Sequence, residues 1–153
     1  MLAIRPARPE DKSFLLALTE RLAAFPVPGW RTPAQIANAD RQILLEALRT
    51  AHPDATILVA ETAPGDRVGY VFATTREDYF LKTPQAHVEI LAVEERAEGQ
   101  GVAGALMRAF EEWARGRGCG AVTLNVFDTN QRARGLYEHL GFQPETVHYI
   151  KRL

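Results

Sequence analysis

The 153-residue chain carries 46% hydrophobic and 24% charged residues and a formal net charge of −1, values of a globular protein that exclude disorder. Near-neutral charge argues against nucleic acid as the main partner, because binders of the phosphate backbone present a basic face. No apolar run approaches the roughly 18 to 20 residues of a membrane-spanning helix, so no membrane partner is expected.

Met1–Lys12 lacks a basic segment followed by an apolar stretch, so no signal peptide is read and a cytoplasmic location is expected. LAIRPA (2–7) predicts a short strand stopped by Pro6. Phe14, Leu15, Leu18, Leu22 and Phe25 then recur at helical spacing and give one apolar face. FPVPGWR (25–31) is a connection with two prolines, a glycine and Trp30. Thr32, Pro33 and Gln35 take the N-cap, N1 and N3 places of a capping box. The helix they open continues through Ile36, Ile43, Ala47 and Leu48 to about Ala51.

TILVAE (56–61) and RVGYVFATT (67–75), joined by TAPGD, predict a β-hairpin. REDYFLKTPQ (76–85) reads as a connection of about ten residues, long for a hairpin loop and so a candidate substrate loop. HVEILAV (87–93) predicts a strand, and alternation would put His87, Glu89, Leu91 and Val93 on one face. After a glycine-rich turn, a helix is expected from about Val102 to Arg117, with Val102, Leu106, Ala109, Phe110 and Trp113 inward. AVTLNVF (121–127) predicts a strand and NQRARGLYEHL (130–140) a short helix closed by Gly141. ETVHYIKRL (145–153) predicts a final strand. With no repeat or linker, residues 1–153 read as one domain of α/β (α+β) class, a mixed sheet with helices on both faces.

Cys119 stands alone, which excludes an internal disulfide and a multi-cysteine zinc site. His52, His87, His139 and His148 lack metal-ligand spacing, so no metal is expected.

EGQGVAG (98–104) lies between a strand and an amphipathic helix, where unpaired amides and the helix dipole favour a diphosphate. Gly99, Gly101 and Gly104 match the dinucleotide pattern G-x-G-x-x-G, but too little chain follows for a doubly wound domain. A nucleotide P-loop is excluded because the turn has no lysine. Downstream, Asn130, Ala133, Leu136, Tyr137, Glu138, Leu140, Gly141 and Phe142 form a second motif in which Asn130 can cap the helix.

The turn and this second motif together resemble the acetyl-CoA binding core of the GNAT family of N-acetyltransferases. The family signature Arg/Gln-x-x-Gly-x-Gly/Ala fits Arg96-x-x-Gly99-x-Gly101 letter for letter. The frame Glu98-x-x-Gly101-x-Ala103 aligns better, with Glu98 in place of the usual Arg or Gln. The resemblance implies a mostly antiparallel sheet in which a splayed strand pair binds acetyl-CoA. It implies that Gly99, Gln100, Gly101, Val102, Ala103 and Gly104 cradle the phosphates, and that Leu91, Ala92 and Val93 meet the pantetheine through main-chain atoms. It further implies that Asn130 contacts the pantetheine arm or orders its helix, and that Tyr137 returns a proton to the departing thiolate. Main-chain N–H groups near Val93 would hold the oxyanion. A homodimer is compatible with the family.

An amine must lose a proton before it attacks a thioester, and Glu89 and His87 are the two candidate bases. Trp30, Asp78 and Tyr79 are the candidate acceptor-binding residues, with Asp78 attracting a cation. The expected activity is transfer of acetyl from acetyl-CoA to a primary amine of a small molecule or peptide, by direct attack in a ternary complex. The alternative is a CoA-binding sensor or partner module without turnover.

Overall fold

The computed structural model describes residues 1–153. Strands β1 (Ala3–Pro6), β2 (Ala55–Glu61), β3 (Arg67–Glu77), β4 (Pro84–Val93) and β5 (Val122–Leu124) form one sheet in the order β1-β2-β3-β4-β5. The first four are antiparallel neighbours, and β5 runs parallel to β4. A parallel pair needs a crossover, which is supplied by helix α3 (Val102–Gly116). Helices α1 (Lys12–Thr19), α2 (Pro33–Arg49) and α4 (Gln131–His139) complete the fold. The α2 capping box forms as the sequence predicts: Gln35 N donates to Thr32 Oγ1 at 3.2 Å and Thr32 N to Gln35 Oε1 at 2.9 Å.

Each sheet face has its own core. Leu58, Ala60, Val68, Val71, Ala73, Ala86 and Val88 pack against Val102, Leu106, Met107, Phe110 and Ala114 of α3. Leu15 and Leu18 of α1 and Leu44 of α2 cover Val59, Tyr70, Phe72, Ile90 and Ala92 on the opposite face. Tyr70 buries its hydroxyl 2.8 Å from Thr19 Oγ1, which itself donates to Leu15 O at 2.7 Å, so the phenol costs no unmade hydrogen bond.

One residue breaks the alternation of β4. Phe72 pairs with Ile90 but Ala73 with Val88, so Glu89 is an extra residue without a cross-strand partner: a β-bulge. The bulge overturns the expectation that His87, Glu89, Leu91 and Val93 share a face. Leu91 and Val93 pack with the α3 core, whereas His87 and Glu89 lie with Thr74 on the α1/α2 face.

Three further expectations are corrected. The strand pair β3/β4 extends to Arg76–Gln85 and Glu77–Pro84, so the connection is a tight turn, 78–83. Asp78 Oδ1 accepts from Phe80 N and Leu81 N and closes it. The strand expected over 121–127 pairs only at Val122–Leu124. Residues 145–153 form no strand: from Gln143 onward the chain is exposed and makes no backbone hydrogen bond to the rest of the molecule. Apolar alternation is only half of a strand, and three residues of β5 offer almost no ladder to pair with.

The start of α1 is tied to the sheet by a buried carboxylate. Asp11, fully buried, accepts from Arg5 Nη1 (2.7 Å), Arg5 Nη2 (3.0 Å), Arg67 Nε (2.5 Å) and Arg8 N (2.7 Å). Arg5 also reaches Glu61 at 2.5 Å. The Arg5 guanidinium holds the Asp11 carboxyl well below the usual carboxylate range, aided by the bonds from Arg8 N and Arg67. Asp11→Asn should therefore cost about 3 kcal/mol in urea unfolding at pH 7, because it leaves Arg67 without an anion and Arg5 with Glu61 alone. Because the folded-state pKa is depressed, Asp11's contribution is present above about pH 4 and is lost as pH falls below it, so the gap between variant and parent should narrow in acid.

Candidate active site

The bulge gathers a polar cluster on the α1/α2 face. Thr74 and His87 are cross-strand partners, and Arg76 follows on the same side of β3. Thr74 Oγ1 and Arg76 Nη2 both donate to Glu89 Oε1, at 2.8 and 2.6 Å, while Oε2 takes no hydrogen bond. Glu89 is thus oriented through one oxygen and unspent at the other. His87 is buried, with Nδ1 2.8 Å from Thr123 Oγ1 of β5. Burial, and then the charge of Arg76, lower its pKa, which keeps the imidazole neutral at pH 7.

Asp40 is a residue that sequence reasoning missed. It lies one helical turn from Ile36 and one from Leu44, both buried, so it occupies the inward stripe of α2 yet makes no hydrogen bond or ion pair. Burial, and then the negative charge of Glu89, push its carboxyl up to about 6. The signal available in the sequence was this spacing: an acid at i+4 from one core residue and i−4 from the next.

Beyond the bulge, β4 loses its neighbour. Pairing to β5 stops at Val88–Leu124. Glu94 N donates to Val68 O at 2.8 Å, so ladder alternation turns the N–H and C=O groups of Leu91 and Val93 away from β3, towards the side where β5 has ended. Ala92 instead faces β3 with its main chain and the α1/α2 core with its side chain. Of the three residues expected to act through the main chain, Leu91 and Val93 have these groups on the unpaired side.

A 3-10 turn (Glu95–Ala97) leads into the glycine turn. Gly99 and Gly101 have φ of 74° and 79°, a region closed to most side chains. The N–H groups of Gly99, Gly101, Val102, Ala103 and Gly104 make no hydrogen bond within the chain and stand at the positive end of α3. Gln100 is turned back, its Nε2 donating to Arg96 O at 2.9 Å. Arg96 binds Asp66 (2.7 Å) and Glu94 (2.5 Å) beside the β2–β3 turn. Glu98 Oε1 accepts from Arg21 at 2.5 Å and Oε2 from Arg132.

On α4, Asn130 Oδ1 accepts from Ala133 N at 3.2 Å, the N-cap predicted from sequence. Gly141 has φ of 95° and closes the helix. Tyr137 stands edge-on to Phe142 with 5.9 Å between ring centroids, and its hydroxyl has no partner in the chain. Burial pushes the phenol up to about 12.

The expected acceptor residues are less gathered. Asp78 is spent on its own turn, Tyr79 is exposed against Phe80 and Lys82, and Trp30 is 46% exposed. Trp30 belongs to the α1–α2 connection, whose Phe25 packs on Phe127 of the β5–α4 connection at 5.5 Å. No group of three or more His, Cys, Asp or Glu is placed to hold a metal ion, and no helix is long and apolar enough to cross a membrane.

The chain thus presents a bulged strand freed along one edge, an amide-lined turn at a helix start and a half-buried tyrosine. The acetyltransferase (GNAT) family model matches residues 15–142, and the chain belongs to this family of acetyl-CoA-dependent N-acetyltransferases. Solved structures share the fold at low identity. A Pyrococcus furiosus protein described as an acetyl transferase aligns with a TM-score of 0.80 at 22% identity over 100% of both chains. An aminoglycoside 6'-N-acetyltransferase from Acinetobacter baumannii aligns at 0.73 and 22%, over 100% of this chain and 99% of that one. Glucosamine-6-phosphate N-acetyltransferase from Arabidopsis thaliana aligns at 0.71 and 19%, over 99% and 98%. A search of curated proteins returns no match.

Asp40→Asn tests the local field. Its folded pKa is raised from 3.8 to about 6, so ionising Asp40 costs stability as pH rises through that window. The variant should gain about 1 to 2 kcal/mol over the parent at pH 8, allowing for partial exposure, and lose the gain below about pH 4 in denaturant titrations.

Proposed function

We propose that the chain transfers the acetyl group of acetyl-CoA to a primary amine of a small molecule or peptide, by direct attack in a ternary complex, with Glu89 as general base. The observation that carries this is the asymmetry of Glu89. Arg76 and Thr74 fix Oε1, and Oε2 keeps its lone pairs for an incoming ammonium. His87 is the weaker choice, because it is buried and committed to Thr123. Asp40 adds a second negative charge above Glu89 and favours a cationic acceptor. The relatives named for amino-sugar substrates are consistent with a small polar amine.

Glu89 takes a proton from the ammonium, and the amine nitrogen forms a bond to the thioester carbonyl carbon. The N–H groups of Leu91 and Val93 supply donors for the oxyanion. As the carbon–sulfur bond breaks, Tyr137 gives its proton to the leaving thiolate. The second proton that the attacking nitrogen loses as it becomes an amide returns the phenolate to phenol by way of solvent. Burial that raises the phenol raises a thiolate beside it as well, so the transfer stays matched in that setting. The amides of the glycine turn hold the phosphates, and acetyl-CoA supplies the activated acyl group.

Thiol release from acetyl-CoA, followed over a panel of amines, tests the activity. Turnover with at least one amine is expected, and CoA binding with no turnover on any amine would leave a binding module instead. Tyr137→Phe should lower kcat by roughly 10²-fold with little change in CoA affinity. Glu89→Gln should lower kcat by at least as much, and unchanged turnover in either variant removes that residue from its role.

A further inference from the structure

The family signature places a basic or neutral residue where this chain has Glu98, and the structure shows what accompanies the change. Arg21, in the turn that ends α1, and Arg132, in the first turn of α4, lie 77 and 34 residues away in sequence, yet both reach this one carboxylate. Glu98 immediately precedes Gly99, so two cations from separate elements stand at the rim of the amide cradle. A third, Arg108, makes no ion pair, and its Nη1 lies 3.3 Å from where a Cβ on Gly104 would be. A cation folded towards the positive end of a helix is unfavourable unless an anion lies between them.

The geometry points to Glu98 as a placeholder anion: in the absence of coenzyme it holds Arg21 and Arg132 in position, and it yields them to the phosphates of acetyl-CoA. The inference rests on the reading that acetyl-CoA occupies this turn. A single carboxylate shared by two guanidiniums leaves most of their N–H donors unmet, five being available on each. A diphosphate offers more oxygens and more charge, and arginine binds such groups through paired donors. Arg21 also lies 3.6 Å from Glu95. Arg21, Arg132 and the unpaired Arg108 thus stand against Glu98 and Glu95 and leave a surplus of one positive charge at the cradle, which draws an anion in a chain whose net charge is −1. The basic partner absent from the signature position is thus supplied from the flanking helices. The carboxylate's own charge opposes phosphate binding until it swings away.

Calorimetric titration of the full-length protein with CoA, and with phosphate-free pantetheine as control, tests this on Glu98→Gln, Arg21→Gln and Arg132→Gln. Glu98→Gln should bind CoA about fivefold more tightly, because the competing charge is gone while the arginines remain. Arg21→Gln and Arg132→Gln should each bind CoA about tenfold more weakly, with less loss of affinity on adding salt. Pantetheine affinity should be the same in all four proteins, and unchanged circular dichroism would show that all are folded. Unaltered or weaker CoA binding by Glu98→Gln overturns the placeholder, as does unaltered CoA binding by both arginine variants. Failure of the parent protein to bind CoA is a separate result and overturns the coenzyme reading itself.

Discussion

The site depends on the extra residue in β4. In a regular strand Glu89 would lie on the same side as Leu91 and Val93, among the apolar side chains of the α3 face. A carboxylate there would be buried without partners, at a cost of several kcal/mol. The bulge moves it to the α1/α2 face, where Thr74 and Arg76 receive it. Leu91 and Val93 remain in the α3 core. One inserted residue thus reconciles a charged side chain with a strand that must stay apolar on both faces further along. The same disturbance sits one residue beyond the point where β5 stops pairing, so re-aimed side chain and freed main chain adjoin.

Charge divides the site into two ends. Asp40 and Glu89 make the bulge end negative, and Arg21, Arg132 and the unpaired Arg108 surround the glycine turn. The strand from Glu89 to Val93 spans roughly 13 Å between them. On the proposed function, such a gradient would orient a ligand with anionic phosphates at one end and a reaction with an ammonium at the other. Local geometry here concentrates charge that the near-zero net charge of the composition averages away. The Asp11 network has the opposite character. Its charges are matched and buried, and it fixes the β1–α1 junction without facing a site.

Most of the fold was legible because its signals are local. The capping box at Thr32, the N-cap at Asn130, the positive-φ glycines and the inward stripe of α3 each specify their own neighbourhood. What was not legible depends on pairing between distant segments. Nothing within HVEILAV announces that Glu89 lacks a partner, because the bulge exists only relative to β3. Asp40 was hidden for a related reason: its place on the inward stripe can be read, but the carboxylate it faces belongs to another element. The 78–83 turn looked long because Arg76, Glu77, Pro84 and Gln85 are polar or cyclic, although they pair as an exposed strand end. Residues 145–153 carry strand composition but no partner, and without one the pattern has nothing to specify.

Glu98 shows the same limit in a single position. Read along the chain, it is a charge reversal at a phosphate-binding signature and looks like a loss. Read in space, it belongs to an ion cluster with Glu95 whose two arginines come from the turn after α1 and from α4. A signature letter stands for a potential at a point, and that potential is a sum over everything nearby. Three arginines from neighbouring elements, Arg21, Arg132 and Arg108, outweigh Glu95 and Glu98 in the strand-to-helix turn. The cradle can therefore stay attractive to phosphate while the residue at its signature position carries the opposite charge. By the same reasoning, an acidic residue at this position signals loss of phosphate binding only where the facing positions on α1 and α4 also lack a cation.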